Sequence, residues 1–311
     1  MSNSPEIIVS KENINYTENA IQIIDGEATV TDIDSPNFNN GTLTVRFTSG
    51  NTENDRLSIR TQGTEATQIN VENTIVKYGD VEIGSFSGGV ITEELVVNLN
   101  ENATPTAVQE LLRAIAYQNI SDNPDTTERT IEFIVTDGQG GISETVSTNI
   151  SITPVNDAPR IDRLTLSVDE NAKKGTVVGT LTATDPEGTT DFSDWQIKSS
   201  SINDLDRDGE SAFAINATTG EITVNDSDDL NYERRPYYSL EVSVSDGQDA
   251  SSFSSIRINL NDIKGTNVEG TSENDKLYGT PEAEVIQGNA GNDNIYGRGG
   301  DDTLDGGEGI D

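Results

Sequence analysis

Neither cysteine nor histidine occurs anywhere in the 311 residues. Without cysteine there is no disulfide framework, and the redox compartment is not encoded. Without histidine, Ser–His–Asp and Cys–His catalysis, the common zinc centres and imidazole general-base chemistry are excluded. Aromatic residues make up only 5% of the chain, with a single tryptophan. Basic residues are few: 19 Lys and Arg face 55 Asp and Glu, a formal charge of −36. Such a charge strains a compact fold by self-repulsion unless bound cations neutralise part of it. It also argues against nucleic acid or an anionic membrane as a direct partner. No apolar run approaches the roughly 18 residues that span a bilayer. The opening MSNSPEIIVS lacks the charged and apolar regions of a Sec signal.

What is present is a period. From Gly270 the chain reads GTSENDKLY, GTPEAEVIQ, GNAGNDNIY, GRGGDDTLD and GGEGID. The sixth position of each unit holds Asp275, Glu284, Asp293, Asp302 and Asp311. The eighth holds Leu277, Ile286, Ile295 and Leu304, with Val268 in phase one unit earlier. Glycine in the first half and one apolar residue in the second predict a turn followed by a very short strand. A carboxylate facing turn carbonyls supplies the all-oxygen shell that Ca²⁺ prefers. The pattern resembles the RTX nonapeptide repeat GGxGxDxUx, a calcium-dependent parallel β-roll. The resemblance implies that Asp275, Asp293 and Asp311 line one edge of the roll, and Glu284 and Asp302 the other. The first two units depart from the pattern at Glu273, Pro281 and Glu282, and Glu284 replaces the usual Asp.

Upstream, ITPVNDAPR at 152–160 and INLNDIKGT at 258–266 have the same form, an alternating strand ending in Asn-Asp. Between them lie seven short alternating runs at 163–168, 176–184, 195–200, 213–216, 221–225, 238–246 and 253–260. That spacing predicts a β-sandwich of immunoglobulin-like size. VDEN, ATDPEG, FAINATTGEITV, LNYER, VSDG and LNDI together resemble a bacterial cadherin repeat. The resemblance implies calcium ligands at both ends of the sandwich. Glu170, Glu233, Asn261 and Asp262 would lie at the downstream end, with Asp185, Glu187 and Asp246 at the upstream end. Asn259 and Pro154 stand where the family has Asp, so fewer ions per junction are expected.

Residues 5–157 read as a longer module of similar kind, resembling the proteoglycan-type cadherin-like repeat. The resemblance implies that Glu18, Asp137, Asn156 and Asp157 share calcium with Asp185, Glu187 and Asp246. Asp32 and Asp34 would face upstream. TPTAVQELLRAIAYQ at 104–118 predicts a short helix, with Thr104 as cap, Pro105 in the first turn and an apolar stripe of Val108, Leu111, Leu112 and Ile115. In DLDRDGE, Asp204, Asp206 and Asp208 before Gly209 form the first half of an EF-hand-type loop. The bidentate Glu is missing, since Ile215 takes its place, so both a calcium site and a solvated acidic turn stay open.

Trp195 sits in an alternating strand and reads as core, as does one of Tyr237 and Tyr238. The many carboxylate pairs fall at module ends with calcium-ligand spacing, not in a pocket, so no enzyme activity is expected. The expected architecture is all-β: two tandem Ig-like, cadherin-like Greek-key sandwiches (1–157 and 158–263) and a short parallel β-roll (264–311). The expected function is a calcium-binding adhesin or stalk module of the bacterial surface, pairing with itself or another surface protein. Calcium-dependent polysaccharide binding within a larger secreted protein is the alternative. The RTX resemblance implies type I secretion through a signal beyond the repeats, and the stop inside a repeat at Asp311 suggests a piece of something longer.

Overall fold

The computed structural model describes residues 3–90, 93–198, 204, 208–232, 234–265 and 267–311. The chain divides into two compact units, Met1–Val155 and Asn156–Asp311. Among the described residues the regular structure of both is strand, apart from one short helix in the first.

In the first unit, Thr42–Ser49 reads TLTVRFTS, and its alternate residues Leu43 and Val45 are fully buried. This is the period-2 pattern of a strand with one face on the core. The strand belongs to an eight-stranded sheet, which ends in an antiparallel meander of Ile69–Glu72, Ile75–Tyr78 and Val81–Ser87. That meander is what makes this module long. A three-stranded sheet of Gln22–Ile23, Ile115–Asn119 and Asp55–Ile59 shares the same hydrophobic core.

The helix spans Pro105–Arg113 and is shorter than the sequence pattern predicts. Thr104 caps it, its Oγ1 accepting from the Ala107 backbone N–H at 3.3 Å. Val108, Leu111 and Leu112 are buried as expected, but Ile115 belongs to the strand Ile115–Asn119. That strand pairs along its whole length with Asp55–Ile59, and these ladder bonds outweigh continued helix. Ile115 is fully buried in this strand, as an apolar stripe residue of a helix is expected to be, so the stripe does not mark the helix end.

In the second unit, the strands Thr165–Asp169, Ser254–Asn261, Tyr237–Ser245 and Ser193–Ile197 form one sheet in that order. Val177–Thr180, Glu221–Val224 and Phe213–Ile215 form another. Between them lie Trp195, Phe213, Tyr238, Leu240 and Ile258. A strand overlaps each of the seven predicted runs, but 176–184 divides into Val177–Thr180 and Ala183–Thr184 in different sheets, and 199–200 lie outside the described residues. In both units the first long strand runs parallel to the last. Asn13–Thr17 lies beside Val146–Thr153, and Thr165–Asp169 beside Ser254–Asn261. The acidic residue after each first strand, Glu18 or Glu170, therefore sits where the last strand leaves its sheet.

The nonapeptides form a roll. Val268–Glu269, Val285–Gln287 and Thr303–Asp305 make one parallel sheet, and Lys276–Tyr278 and Asn294–Tyr296 the other. Val268 pairs with Ile286, Ile286 with Leu304, and Leu277 with Ile295, so each turn of the roll consumes two units. Leu277 and Ile286 are buried, while Leu304 is 50% exposed, so the single apolar row thins along the roll.

Candidate metal centres

Glu18 and Glu170 occupy matching positions in their units. The Glu18 backbone N–H donates to the Thr153 carbonyl and that of Glu170 to the Asn261 carbonyl. Glu18 Oε2 accepts from Val155 N–H at 2.9 Å; Glu170 Oε1 accepts from Ile263 N–H at 2.8 Å. They differ in the second oxygen. Glu18 Oε1 is buried with no hydrogen-bond partner, whereas Glu170 Oε2 accepts from Tyr232 N–H at 2.8 Å. Glu170 thus clasps its own linker and loop, while Glu18 keeps a desolvated acceptor.

This match corrects the alignment of the two Asn-Asp pairs. Thr153, and not Asn156, corresponds to Asn261. Asn261 therefore lies inside the last strand, where its Nδ2 donates to Asp169 Oδ1 at 2.8 Å on an exposed edge. Asp262 is exposed and shares none of the bonds around Glu170 that the described residues make. Glu233 lies outside the described residues.

The upstream end of the second unit gathers more. Asn156 Nδ2 donates to Asp246 Oδ2 at 2.8 Å and to Asp249 Oδ2 at 3.0 Å, and Gln248 donates back to Asn156 Oδ1. Asp157 N–H donates to Glu187 Oε2 at 3.2 Å, and Asp185 Oδ1 accepts from Glu187 N–H. Asp157 Oδ2, Asp185 Oδ2 and Glu187 Oε1 are buried without hydrogen-bond partners. Loss of water raises the Glu187 carboxyl above its ordinary range, and the charge of Asp185 adds to it. Asp246 also feels desolvation, but donors from Asn156, Gln248 and Asp249 hold it below the ordinary range. Buried carboxylate oxygens lacking donors are costly unless a cation faces them. The donor set fits a hard, oxygen-seeking ion such as Ca²⁺. Asp249 and Gln248 were not singled out in the sequence; the acidic residue closing the DGQD turn was the available signal.

The first unit has a comparable upstream end, and this revises the role expected of Asp137. Asp137 follows the strand Arg129–Val135, which runs antiparallel to Val146–Thr153. It therefore lies at the opposite end of the sandwich from Glu18, about 20 Å away by strand rise. Glu18 and Asp137 cannot share an ion. Asp137 Oδ1 accepts from Gln139 and Gly141 N–H groups. Asp32 Oδ1 accepts from Asp34 and Ser35 N–H groups, and its Oδ2 is buried without a partner.

In the roll the carboxylates form two ladders. Asp275 N–H donates to Asp293 Oδ1 at 2.8 Å, and Asp293 N–H to Asp311 Oδ1 at 2.9 Å. On the other edge Glu284 N–H donates to Asp302 Oδ1 at 3.0 Å. These are the two edges the repeat implied. Asp293 Oδ2 is buried without a partner. A Cβ on Gly288 would stand 2.4 Å from that oxygen, and one on Gly297 would stand 2.3 Å from Asp302 Oδ2. The turn glycines thus keep open a carboxylate cradle that any side chain would fill. Among the described residues, no three acidic side chains converge closely enough to form a metal cage by themselves. An ion here would draw on backbone carbonyls as well.

The acidic loop of the second unit is described in part. Asp204 Oδ2 accepts from Gly209 N–H and Asp208 Oδ1 from Glu210 N–H; Asp206 lies outside the described residues. These bonds shape a turn.

Comparison with known proteins follows the same division. Residues 164–261 match the cadherin domain model, and residues 278–311 match the RTX calcium-binding nonapeptide repeat. No curated protein matches the chain. Solved structures similar to it include mouse cadherin-23 EC22-24, at 16% identity over 89% of this chain and 73% of that one, TM-score 0.34. Human protocadherin-24 EC1-2 has 15% identity over 84% of this chain and 99% of that one, TM-score 0.38. Protocadherin gamma C5 EC1-3 has 18% identity over 83% and 68%, TM-score 0.37.

Proposed function

We propose, for a chain that carries a cadherin domain and RTX calcium-binding repeats, a calcium-switched, non-catalytic adhesion-type module that works outside the cell. The observation that carries this reading is the set of buried carboxylate oxygens without donors: Asp157, Asp185 and Glu187 in the sandwich and Asp293 in the roll. With Asp246 and Asn156 they would hold ions at the upstream end of the cadherin domain. Asp275, Asp293 and Asp311 would hold them on one edge of the roll, with Glu284 and Asp302 on the other. Calcium supplies charge neutralisation at these oxygens; the chain supplies desolvated acceptors, turn geometry and carbonyls. Extracellular-type sites have dissociation constants of about 10⁻⁴–10⁻³ M. They would fill outside the cell and stay empty at low internal calcium, which leaves the chain loose enough for export.

Binding only to the folded form adds RT ln(1 + [L]/Kd) per site, about 2.7 kcal/mol when calcium is a hundredfold above Kd. The test is thermal unfolding followed by circular dichroism, with calcium, magnesium or EDTA. A calcium-specific rise in melting temperature, lost in the Asp185→Asn/Glu187→Gln variant for the sandwich and in Asp293→Asn for the roll, is expected. Identical unfolding in calcium and EDTA would sink the reading.

A further inference from the structure

One face of the cadherin domain departs from the acidity of the rest. A groove of about 560 Å³ is lined by Arg163 and Arg257, with Phe253, Leu164, Ser254 and Ser255. Arg257 lies on the last strand, paired with Thr165 of the first. Among the described residues neither arginine forms an ion pair, although the chain carries 55 Asp and Glu. The carboxylate in the groove wall, Asp162, instead accepts from Thr182 Oγ1 at 2.7 Å. Arg257 is held in place: its Nε donates to Asn259 Oδ1 at 2.8 Å, and its guanidinium lies 4.0 Å from the Tyr237 ring centroid. Tyr237 is 47% exposed, and it borders a second groove lined by Arg234 and Arg235. The basic tract therefore continues across the sheet.

We propose that this tract binds a carboxylate-bearing polysaccharide, a polyuronate. Charge complementarity is the first argument, because guanidinium groups pair with carboxylates bidentately and these two carry no competing acid. The rest of the lining selects among anions. Tyr237, stacked on Arg257 over one face, and Phe253, with Lys198 over its ring, offer their remaining exposed apolar surface to the C–H face of a sugar ring, and serine hydroxyls meet ring hydroxyls. A tract that crosses two grooves suits a linear polymer better than a single small acid. A second copy of the chain would bring carboxylates, but also a like charge of −36 and no use for the hydroxyl and aromatic surface. The inference names the partner of the adhesion-type reading and rests on it.

The test is binding of the full chain to immobilised polygalacturonate and to its methyl-esterified, uncharged form, each with calcium and with magnesium. Expected are preference for the free acid and a loss of about tenfold or more in Arg163→Ala/Arg257→Ala, the scale of charge-assisted hydrogen bonds. Lys11→Ala/Arg60→Ala, the same change of charge in the first unit, should bind as wild type. Both arginines are exposed, and an unchanged melting temperature establishes that the variant folds. No binding, equal binding to the esterified polymer, or undiminished binding by the arginine variant overturns the proposal. Calcium-dependent self-association lost in that variant would assign the groove to a second copy, and overturns it as well. Polymer binding with no calcium shift in melting temperature would instead remove the calcium reading and leave the groove standing. A calcium shift without polymer binding removes the groove alone.

Discussion

Asp55 and Arg129 are both fully buried and joined at 3.2 Å. Asp55 also accepts from Tyr117 and from Asn119 Nδ2, so the charge is dispersed over a local network. Burial and the Asp55 carboxylate together push the Tyr117 hydroxyl well above its ordinary range, so it stays a donor. Removing one member leaves the other charge buried and unpaired, a loss of about 3–5 kcal/mol. Asp55→Ala is expected to lose that much in urea unfolding, while Asp55→Leu with Arg129→Met recovers most of it; equal losses would show that packing, not charge, is at stake. Glu187 behaves differently. Its folded carboxyl binds a proton more tightly than the unfolded chain does, so ionisation opposes folding in the absence of calcium. The penalty is absent below the unfolded carboxyl range and complete above the raised folded value. Asp25 and Asp246 are lowered and give the opposite slope, so the Glu187 effect is read as a difference. In EDTA, Glu187→Gln should gain on wild type as pH rises through and beyond the ordinary carboxyl range; in calcium the order should reverse. Parallel pH curves for the two proteins would place Glu187 outside the site.

At the scale of elements, the roll depends on its turns more than on its strands. Each strand is about three residues long and contributes one apolar side chain, too little to hold a sheet without the carboxylate ladders. Gly288→Ala would drive a methyl into Asp293 Oδ2 and the Gly306 carbonyl, at 2.4 and 2.5 Å. It should abolish the calcium-induced gain of β signal from the roll while leaving the sandwich transition intact; an unaltered gain would mean that the cradle is not the binding element. The roll was legible in the sequence because one period fixed turn, carboxylate and apolar positions together, and pairing two units apart needs no long-range information. The cadherin-domain strands were legible for a related reason: each alternates over one buried face between turn residues. What could not be read were the choices made by long-range pairing. The helix stops at Arg113 because Ile115–Asn119 finds partners in Asp55–Ile59, and nothing local marks that exchange. The two Asn-Asp pairs look alike in sequence, but the last strand of the second unit runs on through Asn261. Asp137 and Glu18 looked like members of one site, and the direction of Arg129–Val135 separates them.

For the whole molecule, the charge of −36 is the largest fixed quantity, and it poses the question of what calcium does. Two mechanisms would both raise stability. A diffuse ion atmosphere screens repulsion between exposed carboxylates, over about 8 Å at physiological ionic strength, and any salt supplies it. Site binding acts on the few oxygens that burial has cut off from water, where mobile ions cannot follow. The structure contains both populations: exposed acids such as Asp262, and the desolvated oxygens of Asp157, Asp185, Glu187 and Asp293. In EDTA at low salt the chain should be least stable, and sodium chloride should recover the screening part alone. Calcium at matched ionic strength should then add a further rise that saturates near millimolar and is reversed by chelator. Asp185→Asn/Glu187→Gln and Asp293→Asn should erase only that second rise, because each removes site oxygens while barely changing the net charge. If sodium chloride reproduces the whole effect, the acidic composition is a solvation device and the buried oxygens need another explanation. If calcium retains its excess, the chain's charge is held in two forms: one spread over the surface, the other stored at sites that only a bound divalent ion can discharge.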